Sequence, residues 1–224
     1  MPAETAVPVV IEVGAHRVFA SSVDWPGWTR SDRDEERALS ALSAAAARYL
    51  PVAEGAGEAF SGMRSHALQV VERLPGSATT DFGAPSAIAT SEHEHPSPAT
   101  AARLVRLLDG TWSFFDRVVA SAPQTLRKGP RGGGRDRDAI VDHVLKAETA
   151  YAGKLGLRLV APRLADSAAV GAHRQAITAT LLGPAPPDGG GTRSWPVRYA
   201  IRRLAWHVLD HAWEIEDKAG RATE

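Results

Sequence analysis

Near the end of the chain, in WHVLDHAWEIED (residues 206–217), His207 and His211 stand four apart. Side chains at i and i+4 leave one face of an α-helix one above the other, so two imidazoles can offer nitrogen to a single ion. Two ligands bind weakly, and HxxxH lacks the glutamate that makes a zincin motif informative. A third ligand has to come from another element. His143, in IVDHVLKAE (140–148), is the one other histidine at the centre of a strongly apolar helical pattern, beside Ile140, Val144 and Ala147. Three imidazoles from two helices leave open coordination positions for water or substrate. The competing reading is a hydrogen-bonded core histidine at 143 and a pair at helical spacing by chance. The chain has no cysteine, which removes disulfides, thiolate nucleophiles and Cys-ligated metal sites. Any metal is held by His, Asp or Glu.

Carboxylates lie close by. Glu214 is three residues beyond His211 and seven beyond His207, on the same helical face, placed to orient an imidazole or accept a proton. Asp210 and Asp142 are the alternatives. Glu216 and Asp217 read as a solvated acidic helix end; because they oppose the helix dipole, a bound cation, Arg202 or Arg203 is expected to compensate. Trp206 and Trp213, seven apart, read as bundle packing, or as the mouth of a pocket. KGPRGGG (128–134) lacks the spacing and the Lys-Ser or Lys-Thr pair of a P-loop. It reads as a basic loop in which Arg127, Lys128 and Arg131 attract an anionic co-substrate. His93 and His95 belong to an exposed stretch that does not preorganise a metal, and His16, His66 and His173 receive no role.

These residues need elements to hold them. VPVVIEV (7–13) and HRVFASSV (16–23) are β-branched runs joined by Gly14 and Ala15, which predicts two adjacent strands. Pro26 and Gly27 make a turn. Ser31 or Asp32 then caps a helix running to about Leu50, before a break at Pro51. HALQVVERL (66–74) is a further strand, and residues 76–98, rich in Gly, Ser, Thr and Pro, suit a linker. From there the apolar period is helical, with Leu104, Leu107, Leu108, Trp112, Phe115 and Val119 on one face of 98–122. Helices follow over 138–157, 163–182 and 193–220, the last with Pro196 in its first turn. The expected fold class is α+β: a small strand-helix-strand domain (1–90), a linker (91–97) and an all-α four-helix bundle (98–224). Trp25 and Trp28 read as core packing, or as a wall over the bundle's pocket.

One histidine in the second of these helices (VDHVLKAE) and HxxxH in the last (WHVLDHAWEIED) resemble the DinB-like superfamily of metal-binding four-helix bundles, over about residues 98–220. The resemblance rests on helix order and histidine placement. It implies a divalent metal, zinc or nickel foremost with iron or manganese also accepted, held by His143, His207 and His211. The group includes thiol S-transferases that use mycothiol or bacillithiol, mycothiol-dependent maleylpyruvate isomerases and the metal domain of sulfoxide synthases that form ergothioneine. The implied activity is Lewis-acid activation of a thiol or water in a transferase or hydrolase, the thiol being a low-molecular-weight co-substrate. HRVFASSVDWPGWTRSDRDEERALSALSAAAARY is similar to HicB-like folds, in which a strand leads through a D-x-P-G turn into such a helix. That likeness implies a partial ribonuclease-H-like sheet and a protein-interaction role. The alternative to an enzyme is a non-catalytic binding or stress-response module.

Bulk properties bound the partners. Twenty-six basic residues balance twenty-six acidic ones over 224 residues, so no global field favours nucleic acid or an anionic membrane. No stretch approaches the roughly 18–20 apolar residues of a membrane span, and the start lacks a basic region followed by an apolar run. The expectation is a cytoplasmic protein acting on a small molecule, without nucleic-acid or membrane partners, and compatible with a homodimer.

Overall fold

The β-branched runs at the start of the chain build one mixed sheet. A computed structural model describes residues 6–60, 68–129, 133–184 and 195–219. In it β1 (Val7–Val13) pairs antiparallel with β2 (Val18–Ser22) and parallel with β4 (Leu68–Pro75). A further strand, β3 (Thr29–Asp32), pairs antiparallel with β2 and gives the order β3-β2-β1-β4. Parallel neighbours need a crossover connection. Here it carries α1 (Glu35–Ala44) and α2 (Ala46–Gly55). The chain is thus a mixed α+β protein, a four-stranded sheet followed by a mostly helical region.

Several boundaries differ from expectation for identifiable reasons. Ser31 and Asp32 do not cap the first helix, because the ladder to β2 claims them as strand residues. Asp34 caps it instead, accepting from the Arg37 N–H at 2.9 Å. The helix breaks at Ala45, and Pro51 sits inside α2, at the cost of one backbone donor. His66 and Ala67, the expected start of the last strand, lie outside the described residues. Trp25 and Trp28 do not wall a pocket. They pack with Tyr49 and Phe60 at centroid distances of 5.0–6.3 Å, and the Trp28 indole donates to the Leu42 carbonyl at 2.9 Å.

The segment between sheet and helices is anchored rather than loose. It contains α3 (Ala78–Phe82), capped by Ser77, and a 3₁₀ turn at Thr90–Glu92. The buried Glu12 carboxylate on β1 accepts from Thr80 Oγ1 (2.5 Å), Ser86 N (2.9 Å) and Ala87 N (3.0 Å). Glu92, placed in the expected linker, is buried against Arg202. Polar composition suggested a solvated tether, but here it serves buried hydrogen bonds.

Four long helices follow: α4 (Pro98–Ser121), α5 (Arg137–Lys154), α6 (Ser167–Leu181) and α7 (Val197–Ala219). Ser97 caps α4 and Asp166 caps α6 through their side-chain oxygens. Pro196 stands just before α7, where its carbonyl accepts from Ala200 N at 2.9 Å. Helix α7 is buried without interruption from Tyr199 to Leu209, so it is the central element rather than an amphipathic surface helix. It packs on α4 and α5, and on its other side meets the sheet, with Trp206 edge-on to Phe19 at 6.1 Å. Gly27, at φ 92°, lets the Pro-Gly turn approach α7; a Cβ there would sit 3.2 Å from the Ala205 backbone. Gly110 of α4 similarly admits α2, since a Cβ would lie 2.5 Å from the Val52 carbonyl oxygen. One apolar core consequently runs from Val9 and Ile11 through Val52 and Leu108 to Leu204 and Val208. Among the described residues no helix is long and apolar enough to cross a membrane.

Candidate metal centre

Ile140 and Val144 of α5 are fully buried, which fixes the rotation of that helix and turns His143 toward α7. On α7 the neighbours Leu204, Val208 and Ala212 are fully buried, and the four-residue spacing sets His207 and His211 one above the other. The three imidazoles meet. Their ring centroids are 5.1 Å apart for His143 and His207, 4.9 Å for His143 and His211, and 4.6 Å for His207 and His211. One nitrogen from each can be chosen so that all three lie within 4.8 Å of one another.

The nitrogen geometry fits an ion. His143 Nε2 and His207 Nε2 are 3.2 Å apart. A tetrahedral centre with bonds of about 2.0–2.1 Å requires ligand nitrogens roughly 3.4 Å apart. Burial, then the neighbouring His211 and His143, pushes the His207 imidazole well below its ordinary pKa, and burial also lowers that of His143. Both rings are therefore held neutral, the form that ligates. Among the described residues the buried Nδ1 of His207 has no hydrogen-bond partner.

Glu214 lies where the spacing puts it. Its carboxylate accepts from His211 Nδ1 at 2.6 Å and also pairs with Lys218. The hydrogen bond with His211 is the main cause that holds this carboxyl down at about 2. A permanently ionised acceptor on Nδ1 fixes the tautomer that leaves Nε2 of His211 free to ligate.

The other candidates are engaged elsewhere. Asp142 pairs with Lys146 at 2.6 Å, and Asp210 faces Arg30 at 3.5 Å. Glu216 and Asp217 both bind Arg48 at 2.9 Å, so Arg48 and Lys218 relieve the acidic end of α7, while Arg202 is committed to Glu92 at 2.6 Å. Trp213 meets two guanidiniums, Arg30 at 3.6 Å from its ring centroid and Arg48 at 5.3 Å; it lines a cleft together with Arg30, Asp210 and Glu214. Lys128 pairs with Asp136 at 2.6 Å, whereas Arg127 donates to the Asp217 carbonyl at 3.0 Å, a neutral partner that leaves its charge uncompensated; Arg131 lies outside the described residues. His93 and His95 are exposed, as expected, whereas His173 is buried.

Two further side chains adjoin the triad. Tyr151 stands edge-on to His207 at 5.7 Å, and Arg203 packs over Tyr151 at 5.5 Å. Continuing the helical spacing would have found both, since Tyr151 is eight beyond His143 and Arg203 four before His207. Comparison of the chain with protein-family models, with curated proteins and with solved structures finds no match.

Proposed function

We propose that this protein is a metal-dependent enzyme of the DinB-like type, with His143, His207 and His211 as ligands, acting on a small molecule as a transferase or hydrolase. The observation that carries the reading is the convergence of one nitrogen from each of three histidines on two helices. The residues fit the ion in number, in the 3.2 Å nitrogen separation and in the neutral state that burial imposes on His207. When bound, a divalent ion, zinc or nickel foremost, supplies the Lewis-acid charge that lowers the pKa of a thiol or water. His143 and His207 present Nε2 from rings fixed by packing. Glu214 is a positioning residue that holds the third ring through Nδ1. The four long helices of the second half support the bundle resemblance, and the parallel β1 and β4 with a helical crossover support the HicB-like one.

The same 3.2 Å contact also suits a direct N–H···N bond between His143 and His207, which favours a second reading as a structural pair in a non-catalytic binding module. Elemental analysis of the purified chain separates them. The enzyme reading expects about one metal ion per chain, lost in His143→Ala and His211→Ala, and a content under about 0.1 per chain defeats it. Glu214→Gln, which keeps the shape but not the charge beside His211, should weaken metal binding about 10- to 100-fold in chelator competition.

A further inference from the structure

Arg203 lies one helical turn before His207 and is 8% exposed, yet no carboxylate lies within 4.0 Å of it among the described residues. Its neighbour Arg202 is clasped by Glu92, and the similarly enclosed Arg174 by Asp116 at 2.7 Å. Arg203 instead donates Nη1 to the Pro85 carbonyl at 2.9 Å and lies over the rings of Trp206 (4.7 Å) and Tyr151 (5.5 Å). A guanidinium offers five N–H donors in a planar fork matched to a carboxylate, and burying its charge unpaired is costly. Tyr151 joins this cation to the triad: its ring stands edge-on to His207 at 5.7 Å and lies under the Arg203 guanidinium at 5.5 Å. Trp195 lies tilted against Tyr151 at 5.1 Å and edge-on to Tyr199 at 4.9 Å, adding an aromatic wall.

The surrounding charges point the same way. Glu214 is matched by Lys218, Asp142 by Lys146 and Glu92 by Arg202. Among the described residues neither Arg203 nor the exposed Arg135 has a carboxylate within 4.0 Å.

We propose that Arg203, assisted by the Tyr151 hydroxyl, is a carboxylate-binding subsite, and that the substrate is a small thiol acid whose carboxylate sits there while its sulfur reaches the histidine triad. The spacing is one helical turn, roughly 5–6 Å, which suits a carboxylate two or three carbons from the thiol. The carboxylate half stands on Arg203 alone; the thiol half rests on the metal reading above.

The test uses the full chain loaded with cobalt(II), titrated with 3-mercaptopropionate and with its neutral methyl ester while the cobalt absorption spectrum is followed. A charge-assisted pair with Arg203 makes the acid bind at least about tenfold tighter than the ester. Arg203→Met should bring that ratio to about one, and Arg203→Lys should retain part of it. Equal affinities in the parent chain, or a ratio that survives Arg203→Met, overturn the subsite. Calorimetry on metal-free chain with propionate against propionamide reads the carboxylate half without any ion. A preference there, lost in Arg203→Met, in a chain that takes up no cobalt would sink the metal reading and keep the subsite; cobalt uptake with no preference in either ligand pair would do the reverse. If Arg203→Met fails to fold, Arg203→Lys and Tyr151→Phe carry the test, and a ratio unchanged in both overturns the proposal.

Discussion

Replacing Glu92 by Gln tests whether the histidine-bearing helix is anchored from the segment that composition marks as a linker. Arg202 donates Nε to Glu92 Oε1 at 2.6 Å and Nη2 to Oε2 at 2.8 Å, with both side chains about 95% buried, and Ala89 N also donates to Oε2 at 2.8 Å. Glutamine has one oxygen. Whichever way its amide turns, an NH₂ faces either Arg202 Nε, or Arg202 Nη2 and Ala89 N, so donor meets donor. Breaking a buried pair from one side costs about 3–5 kcal/mol. The Ala87 carbonyl still accepts from Arg202 at 2.8 Å, which favours the lower end, about 3 kcal/mol. For a chain of this size that corresponds to a fall in Tm of roughly 6–12 °C. Urea unfolding and calorimetry at pH 7 give both quantities. The double variant Glu92→Leu, Arg202→Met removes both charges and should recover most of the loss. A loss below about 1 kcal/mol for Glu92→Gln, or a double variant as unstable as the single one, would refute the reasoning.

Two further substitutions probe other joints. Gly110→Ala sets helix propensity, worth about 1 kcal/mol in favour of alanine, against a Cβ 2.5 Å from the Val52 carbonyl oxygen. Backbone cannot yield cheaply, so a net loss of about 2 kcal/mol is expected in urea unfolding, and a stabilised variant would show that α2 and α4 are not in contact there. Glu148 is fully buried, accepts from Trp112 Nε1 at 2.6 Å and has Oε2 without a hydrogen bond, 4.0 Å from Arg174 Nε; burial outweighs that cation and pushes the carboxyl up to about 7. A raised carboxyl pKa means the folded state holds its proton longer than the unfolded chain. Stability from this group is therefore fully present below about 4.5 and declines as pH rises through about 7, by on the order of 3 kcal/mol. Glu148→Gln cannot ionise, so its stability relative to the parent should climb over that interval, whereas a difference flat from pH 4.5 to 8 would mean Glu148 is not held protonated.

What the sequence discloses here follows from where the information sits. Apolar periodicity is local, so α4, with Leu104, Leu107 and Leu108 on its inner face, and α5, with Ile140 and Val144, are legible to within a few residues. The histidines are legible for the same reason: His207 and His211 are fixed relative to each other by one helix, and His143 by the apolar face it shares. Strand β3 escapes because TRSD carries a single β-branched residue, and what makes it a strand is the ladder to β2, a partner the local sequence does not contain. The bonds of the segment before α4 are hidden from local sequence on the same ground. Ser, Thr and Glu over 77–92 have the composition of a solvated tether, and only Glu12 on β1 and Arg202 on α7 convert them into buried bonds. Long-range pairing also decides the charges at the end of α7: Arg48, 168 residues before Glu216, takes up the acids for which Arg202 or Arg203 is the nearer candidate. That reassignment has a functional consequence. With Glu216 and Asp217 held by Arg48 and Glu92 held by Arg202, no carboxylate among the described residues lies within 4.0 Å of Arg203, and a buried cation one turn from His207 is a demand that a substrate carboxylate can meet.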